Sequence, residues 1–239
     1  MAENEMNWEK IADILIEEFS ENKYSKDEKM PSENRMAVRF GVPRSEIRRA
    51  YERLKELGYI YSMQGYGSFF SGKKEKIQLL MTDSTSFSEK MEKLGLSYKS
   101  ENLGIREVKG NSLICEMLDT DITDTIYRIT RLRYIEGSPA AIHISYVTEK
   151  KFPHIREDGP HISSLFEYIK QCGYHNFSNE SSELTVSALT AEERKLLDVH
   201  GYAPCLVLSS RCINREDGTV LEAARTVYRG DRFIFTIGG

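Results

Sequence analysis

Two short amphipathic segments separated by only Gly41-Val42 constrain the folding of this 239-residue chain more than any other feature. The upstream segment opens at Pro31-Ser32. Ser32 suits a helix cap, Met36, Ala37 and Phe40 form one apolar face, and Gly41 supplies the stop. The downstream segment starts near Pro43, whose fixed φ suits a first helical position, and runs to Leu57 with Gly58 behind it. Ile47, Ala50, Leu54 and Leu57 share its inner side, whereas Ser45, Arg48 and Arg49 lie on the other. So tight an elbow between two helices is the geometry of a helix-turn-helix. A further helix over residues 8–21 precedes it, capped by Asn7, stapled by Met6 and Ile11, and striped by Trp8, Ile11, Leu15 and Phe19. Residues 22–30 read as a loop. Behind the third helix, Tyr59-Ile60-Tyr61-Ser62-Met63 and Ser68-Phe69-Phe70 flank Gln64-Gly65-Tyr66-Gly67, which predicts a hairpin. Three helices followed by a hairpin make a winged helix-turn-helix, whose third helix fits a DNA major groove.

Charge agrees with this reading only when taken locally. The chain as a whole carries −4, but residues 31–75 hold 9 Lys/Arg against 5 Asp/Glu, and residues 1–30 hold 4 against 9. Arg35, Arg39, Arg44, Arg48 and Arg49 fall within fifteen residues, opposed only by Glu46. A phosphate-facing surface needs cations gathered on one side, whatever the total. Elsewhere the composition, 40% apolar and 29% charged, is that of an ordinary folded chain. No apolar run approaches the roughly 18 residues of a membrane span, and the acidic start lacks the pattern of a signal peptide. Cys115, Cys172, Cys205 and Cys212 form no CxxC pair, which points to a reduced, cytoplasmic setting.

The residues Pro31-Ser32-Glu33, Met36-Ala37, Phe40-Gly41-Val42, Arg44, Ile47-Arg48, Ala50, Leu54, Gly58-Tyr59-Ile60 and Gly65-x-Gly67-Ser68-Phe69 resemble the winged-helix signature of the GntR family of bacterial transcription regulators. The resemblance implies that Arg44 and Arg48 approach guanine edges and phosphates and that the wing-tip Gly65 enters the minor groove. Arginine suits guanine because its planar fork matches the O6/N7 acceptor pair. Arg35, Arg44, Ser45, Arg48, Arg49, Gln64 and Gly65 are the expected DNA-binding residues, and double-stranded operator DNA the expected partner. Two positions depart from the family pattern. Pro43 stands where Ser or Thr is common and cannot donate to a phosphate, and Asn34 stands where many members carry Arg.

Residues 1–72 therefore read as the DNA-binding domain, 73–78 as a charged linker, and 79–239 as a second domain. In the last, residues 85–94, 163–171 and 191–197 read as helices. Residues 112–117, 125–136, 140–147, 183–188, 204–214 and 220–228 read as strands, with turns at Gly137-Ser138 and Asp217-Gly218. Strand-dominated order with tight hairpins predicts an α+β fold around an antiparallel sheet. This half resembles the UTRA effector domain of the HutC branch of the same family, through Thr85-Ser86-Phe87-Ser88, Arg131-Leu132-Arg133, Gly137-Ser138-Pro139, Ser164-Leu165-Phe166, Leu221-Glu222 and the run from Val227 to Phe233.

The UTRA resemblance implies a small-metabolite site, often for phosphorylated sugars or carboxylates, and dimerisation through this domain. Arg131 and Arg133 alternate on a strand and so share a face, where two guanidiniums suit a phosphate or carboxylate. Phe87 and Ser88 fall in a first helical turn, whose N–H groups favour an anion. Glu222 is placed to accept from ligand hydroxyl or amino groups. Ser164 suits a cap or a ligand contact, and Tyr228 either lines the site or braces the following turn. Phe166 lacks the hydroxyl of the tyrosine found in sugar-phosphate binders, and His143 replaces a common acid. The expected effector site is thus Phe87, Ser88, Arg131, Arg133, His143, Ser164, Phe166, Glu222 and Tyr228. Cys172 and His175 have a metal-like spacing without a second pair, so neither a metal nor a cofactor is expected. No P-loop, GxSxG or HExxH motif occurs. The sequence reads as a homodimeric repressor without enzymatic activity or membrane attachment. A lyase of the chorismate lyase-like fold is the alternative, though a lyase has no use for a winged head.

Overall fold

The structure, a computed structural model, describes residues 6–72, 76–80, 85–109, 112–199 and 203–236. It divides into two compact units, one built on Met1–Lys76 and the other on Ile77–Val199 with Pro204–Gly239.

In the first unit, α1 spans Trp8–Ser20, α2 Glu33–Phe40 and α3 Arg44–Glu56; β1 (Ile60–Met63) and β2 (Gly67–Phe70) form the antiparallel wing. The side chain of Asn7 caps α1 by accepting from the Lys10 N–H at 3.0 Å, and Ser32 caps α2 by accepting from Arg35. Gly41 closes α2 at φ +64°, a conformation that costs a side-chain-bearing residue. Pro43 sits one position earlier than expected, at the cap of α3 rather than in its first turn, and offers no side-chain bond there. Met6, expected to staple against Ile11, is 37% exposed. What holds the unit together is an apolar centre of Ile11, Leu15, Phe19, Met36, Ile47, Leu54, Ile60 and Phe70. Each such side chain contributes about 1.5–3 kcal/mol on burial. Phe19 stacks on Phe70 at 4.4 Å between centroids and so ties α1 to the wing. Buried Tyr51 donates to the Pro31 carbonyl at 2.8 Å.

The second unit is a six-stranded antiparallel sheet flanked by short helices. Its elements in chain order are β3 (Ile77–Leu80), α4 (Phe87–Lys93), β4 (Tyr98–Val108), α5 (Ser112–Leu118), β5 (Ile126–Ile135), β6 (Ser138–Thr148) and α6 (Ile155–Asp158). A 3-10 turn at Gly159–His161 follows, then α7 (Leu165–Gln171), β7 (Phe177–Ala188), α8 (Ala191–Leu196), β8 (Pro204–Asn214), β9 (Val220–Arg229) and β10 (Phe233–Thr236). The sheet runs β4-β5-β6-β9-β8-β7, while β3 and β10 pair separately and in parallel.

Several expectations are corrected. Residues 112–117, read as a strand, are the helix α5: Leu, Met and Glu favour a helix over a strand, and Cys115 and Leu118, three apart, are its buried pair. Strand β4 was not anticipated, because an edge strand of mostly polar residues has no apolar alternation to betray it. The β5–β6 turn is Glu136-Gly137, one residue earlier than expected, with φ of +51° and +71° and Ile135 facing Ser138. Ile77 and Gln78, expected to end the linker, begin β3 because they pair with Phe233 and Ile234. Residues 73–75 of the expected linker lie outside the described residues.

Candidate functional site

The exposed side of α3 gathers the expected DNA-facing residues. Arg44, Ser45, Arg48 and Arg49 are all exposed, because Ile47, Ala50, Tyr51 and Leu54 take the opposite side into the core. Each arginine rests on a nearby carboxylate. Arg44 Nε lies 2.7 Å from Glu33, Arg48 Nε 3.3 Å from Glu52, and Arg49 Nη1 3.6 Å from Glu46. Arg49 also sits 5.6 Å over the Trp8 ring. Such exposed pairs are worth roughly 0–1 kcal/mol and are easily exchanged for phosphate oxygens. Arg35 is exposed on the first turn of α2, and Gln64 and Gly65 are exposed at the wing turn, with Gly65 at φ +79°. Arg39 is different: both of its terminal nitrogens are engaged by the buried Glu18.

In the second unit, the register collects the other expected residues on one face of the sheet. Ser100, Arg133, Ala141 and Tyr228 form one row across β4, β5, β6 and β9, and Asn102, Arg131, His143 and Thr226 form the next. Ser145 pairs with Ala224 one row on, and Glu222 follows at the same parity. Arg131 is 1% exposed and Arg133 3%.

The two arginines have different partners. Arg131 Nη2 donates to the Ser145 hydroxyl, which in turn donates to Glu222 Oε1; the guanidinium itself lies 3.8 Å from that oxygen. Arg133 Nη1 donates to the Ser163 carbonyl at 3.0 Å and to Ser100 Oγ, and its guanidinium lies 4.9 Å over the Phe87 ring. No carboxylate comes within ion-pair distance of Arg133 among the described residues. The Nε atoms of both arginines are buried without a hydrogen-bond partner, and Nε2 of His143 lies 3.5 Å from Glu222 Oε1.

Titration follows from this geometry. Burial pushes the Arg133 guanidinium down to about 9, helped by the neighbouring Arg131, so it stays charged at neutral pH. Burial and Arg131 push His143 down to about 4, which leaves the imidazole neutral 3.5 Å from Glu222. Burial opposes ionisation of Glu222, but interactions with His143, Arg131 and Ser145 outweigh it and hold the carboxyl below its ordinary value. Two arginines, one carboxylate and a neutral imidazole leave this face with a single net positive charge.

Not all expected residues join the cluster equally. Phe87 does, through the Arg133 contact, and Ser164 caps α7 directly after the Ser163 carbonyl that Arg133 grips. Ser88 is half-buried in the first turn of α4, where a Ser86/Glu89 capping box already engages two N–H groups. Tyr228 lies on the same face with its ring packed 4.8 Å from Phe233, and burial pushes its hydroxyl up to about 12. Phe166 instead packs edge-on against Phe177 at 5.1 Å, within the apolar cluster of Tyr127, Phe152 and Ile169. Sequence reasoning missed Ser100, Ser145 and the Ser163 carbonyl. Ser145 sits at even spacing from His143 on an expected strand and could have been found by strand parity; Ser100 lies on β4, which gave no signal. Cys172 and His175 are both exposed, and no cluster of three or more metal-type ligands occurs among the described residues. No helix among them is long and apolar enough to cross a membrane.

Comparison with known proteins agrees with both units. Residues 7–70 match the bacterial regulatory proteins of the gntR family, and residues 93–234 match the UTRA domain. The HTH-type transcriptional repressor NagR of Bacillus subtilis is 30% identical, covering 94% of this chain and 91% of its own. The HTH-type transcriptional regulator TreR of the same organism is 26% identical over 92% of each. The crystal structure of PhnF from Mycobacterium smegmatis superposes with a TM-score of 0.63 at 20% identity, covering 96% of this chain and 98% of PhnF, and has the same fold. These matches give the lyase alternative no support, and the chain is a regulator rather than an enzyme. It belongs to the GntR family of bacterial regulatory proteins, among the members that carry a UTRA domain, and is a DNA-binding transcription regulator.

Proposed function

We propose that this regulator is a cytoplasmic, homodimeric repressor, released from its operator by a small anionic metabolite such as a phosphorylated sugar or a carboxylate. The observation that carries the effector reading is Arg133, a buried guanidinium without a counter-charge among the described residues. Burying an unpaired charge is costly, and an anionic ligand beside it removes the penalty. The effector site comprises Phe87, Ser88, Arg131, Arg133, His143, Ser164, Glu222 and Tyr228, with Phe166 as a more distant wall. Relatives support the carbohydrate class: one is a mannosyl-D-glycerate transport/metabolism system repressor of Escherichia coli, and another is described as the trehalose repressor of Bacillus subtilis.

On the DNA side, Arg44 and Arg48 read base edges, Ser45, Arg35 and Arg49 meet phosphates, and Gln64 and Gly65 approach the minor groove. The DNA-binding domain occupies residues 1–72, and the effector and dimerisation domain begins at Ile77, the first residue of β3. Mobility shifts on the chain's own upstream DNA, titrated with hexose phosphates and small carboxylates, test the reading. Release of DNA by a compound of this class is expected. Retention of DNA across the whole set, with release by a neutral or cationic compound, would overturn it.

A further inference from the structure

We infer that the two buried arginines play unequal parts: Arg131 is held through Ser145 in an internal charge pair with Glu222, and Arg133 alone meets the effector's charge, so the site selects a ligand with one anionic group and neutral donors elsewhere. This rests on the effector reading above and narrows it.

Arg131 has an acid at 3.8 Å and shares a hydroxyl with it, all three groups being almost wholly buried. In such surroundings a cation and a carboxylate hold each other strongly, and removing either leaves the other uncompensated. Ser145 is the positioning residue, for its single hydroxyl accepts from the guanidinium and donates to the carboxylate at once. Arg133 has only neutral oxygens, those of Ser100 and Ser163, and the face of Phe87. These orient the guanidinium without cancelling its charge. A ligand's first anionic group therefore finds one free positive charge, and a second would face Glu222 with nothing to balance it. Hydroxyl or amide donors suit the Glu222 and His143 end, where a carboxylate and a neutral imidazole lie 3.5 Å apart.

Calorimetric titration of the full chain with inorganic phosphate, D-glucose 6-phosphate and 6-phosphogluconate separates this from a symmetric two-arginine clamp. Arg133→Gln should weaken phosphate binding by about tenfold or more. The double variant Arg131→Met/Glu222→Gln removes the pair without changing the net charge and should lose less than about a third as much phosphate affinity as Arg133→Gln does. Glu222→Gln alone frees Arg131 and should shift preference toward 6-phosphogluconate by about tenfold. A double variant that loses phosphate as fully as Arg133→Gln overturns the assignment. A ligand-free arm measures thermal unfolding of Arg131→Met, Glu222→Gln and the double: each single should lower Tm more than the double, and Ser145→Thr should recover Tm lost in Ser145→Ala. Additive losses in that cycle sink the internal pair even if every variant binds. If wild type binds none of the three probes, the phosphosugar reading fails, and the unfolding cycle still decides the pairing.

Discussion

Replacing Arg44 with alanine tests the DNA-reading surface with little risk to the fold. Its side chain is 67% exposed, and its ion pair with Glu33, though short at 2.7 Å, is a surface pair. Losing it should cost about 0–1 kcal/mol of stability, so Tm should barely move. The effect on DNA is larger. A bidentate contact to guanine is worth about 1–3 kcal/mol, which is roughly 5- to 150-fold in affinity for each half-site engaged. A dimer reading two half-sites doubles the free-energy loss. The reverse perturbation sharpens the test: Glu33→Gln removes the carboxylate that Arg44 must leave on binding, and should tighten operator binding slightly. Fluorescence anisotropy at several fixed salt concentrations is the assay, with operator and unrelated DNA compared side by side. If Arg44 reads a base, the variant loses operator affinity while its binding to unrelated DNA stays. If it touches only phosphate, both fall, and the log–log salt slope drops by about 0.9 per contact. Unchanged operator affinity in Arg44→Ala would mean that this side of α3 does not face the groove.

Arg133→Gln should bind operator normally yet fail to release it with any compound that induces wild type; equal release in mobility shifts would place the effector elsewhere. Sedimentation should find a dimer, and footprinting two half-sites about 10–10.5 base pairs apart or a multiple of that turn; a monomer protecting one half-site contradicts both. His143 is held neutral at about 4, against 6.5 in the unfolded chain, so the unfolded form takes up the proton first. The stability linked to it is present above about pH 6.5 and falls as the pH drops toward 4, by about 2 kcal/mol at pH 5. Denaturant unfolding of His143→Gln should lack that part of the loss, and identical pH profiles would refute the linkage. Phe19→Ala should cost about 3–5 kcal/mol, since its ring stacks within the first core. A loss under about 1 kcal/mol, within the range of an ordinary surface change, would refute that packing.

The first seventy residues were legible almost position by position, because capping and helical period act locally. Asn7, Ser32 and Gly41 do what their side chains dictate within one turn. The second unit was legible only where strands alternate or are wholly apolar: β8 begins and ends where expected, and β5, β6 and β9 differ by a residue or two. Strand β4 and the β3–β10 pair were hidden, because their pairing is decided by partners far along the chain. The candidate site followed the same division. Strand parity alone puts Arg131 and Arg133 on one face, but nothing local announces that Ser145 and Glu222 claim the first and leave the second bare. That asymmetry depends on three strands meeting in one register.

The parallel pairing of β3 with β10 has a consequence for how the chain comes into being. Ile77 is aligned with Phe233, so 156 residues must be made and gathered before the four-residue strands can join. At a synthesis rate of roughly 5–20 residues per second, β3 waits unpaired for about 8–30 seconds. The first unit's core, in contrast, closes over residues 11 to 70 and can form while the rest is still on the ribosome. Closing so long a loop adds entropy cost slowly with length, yet it delays the step, so the strand pair is a late event in maturation. Shortening the chain by its final strand would therefore leave β3 without its partner, and a nascent DNA-binding head would exist well before the second unit is complete.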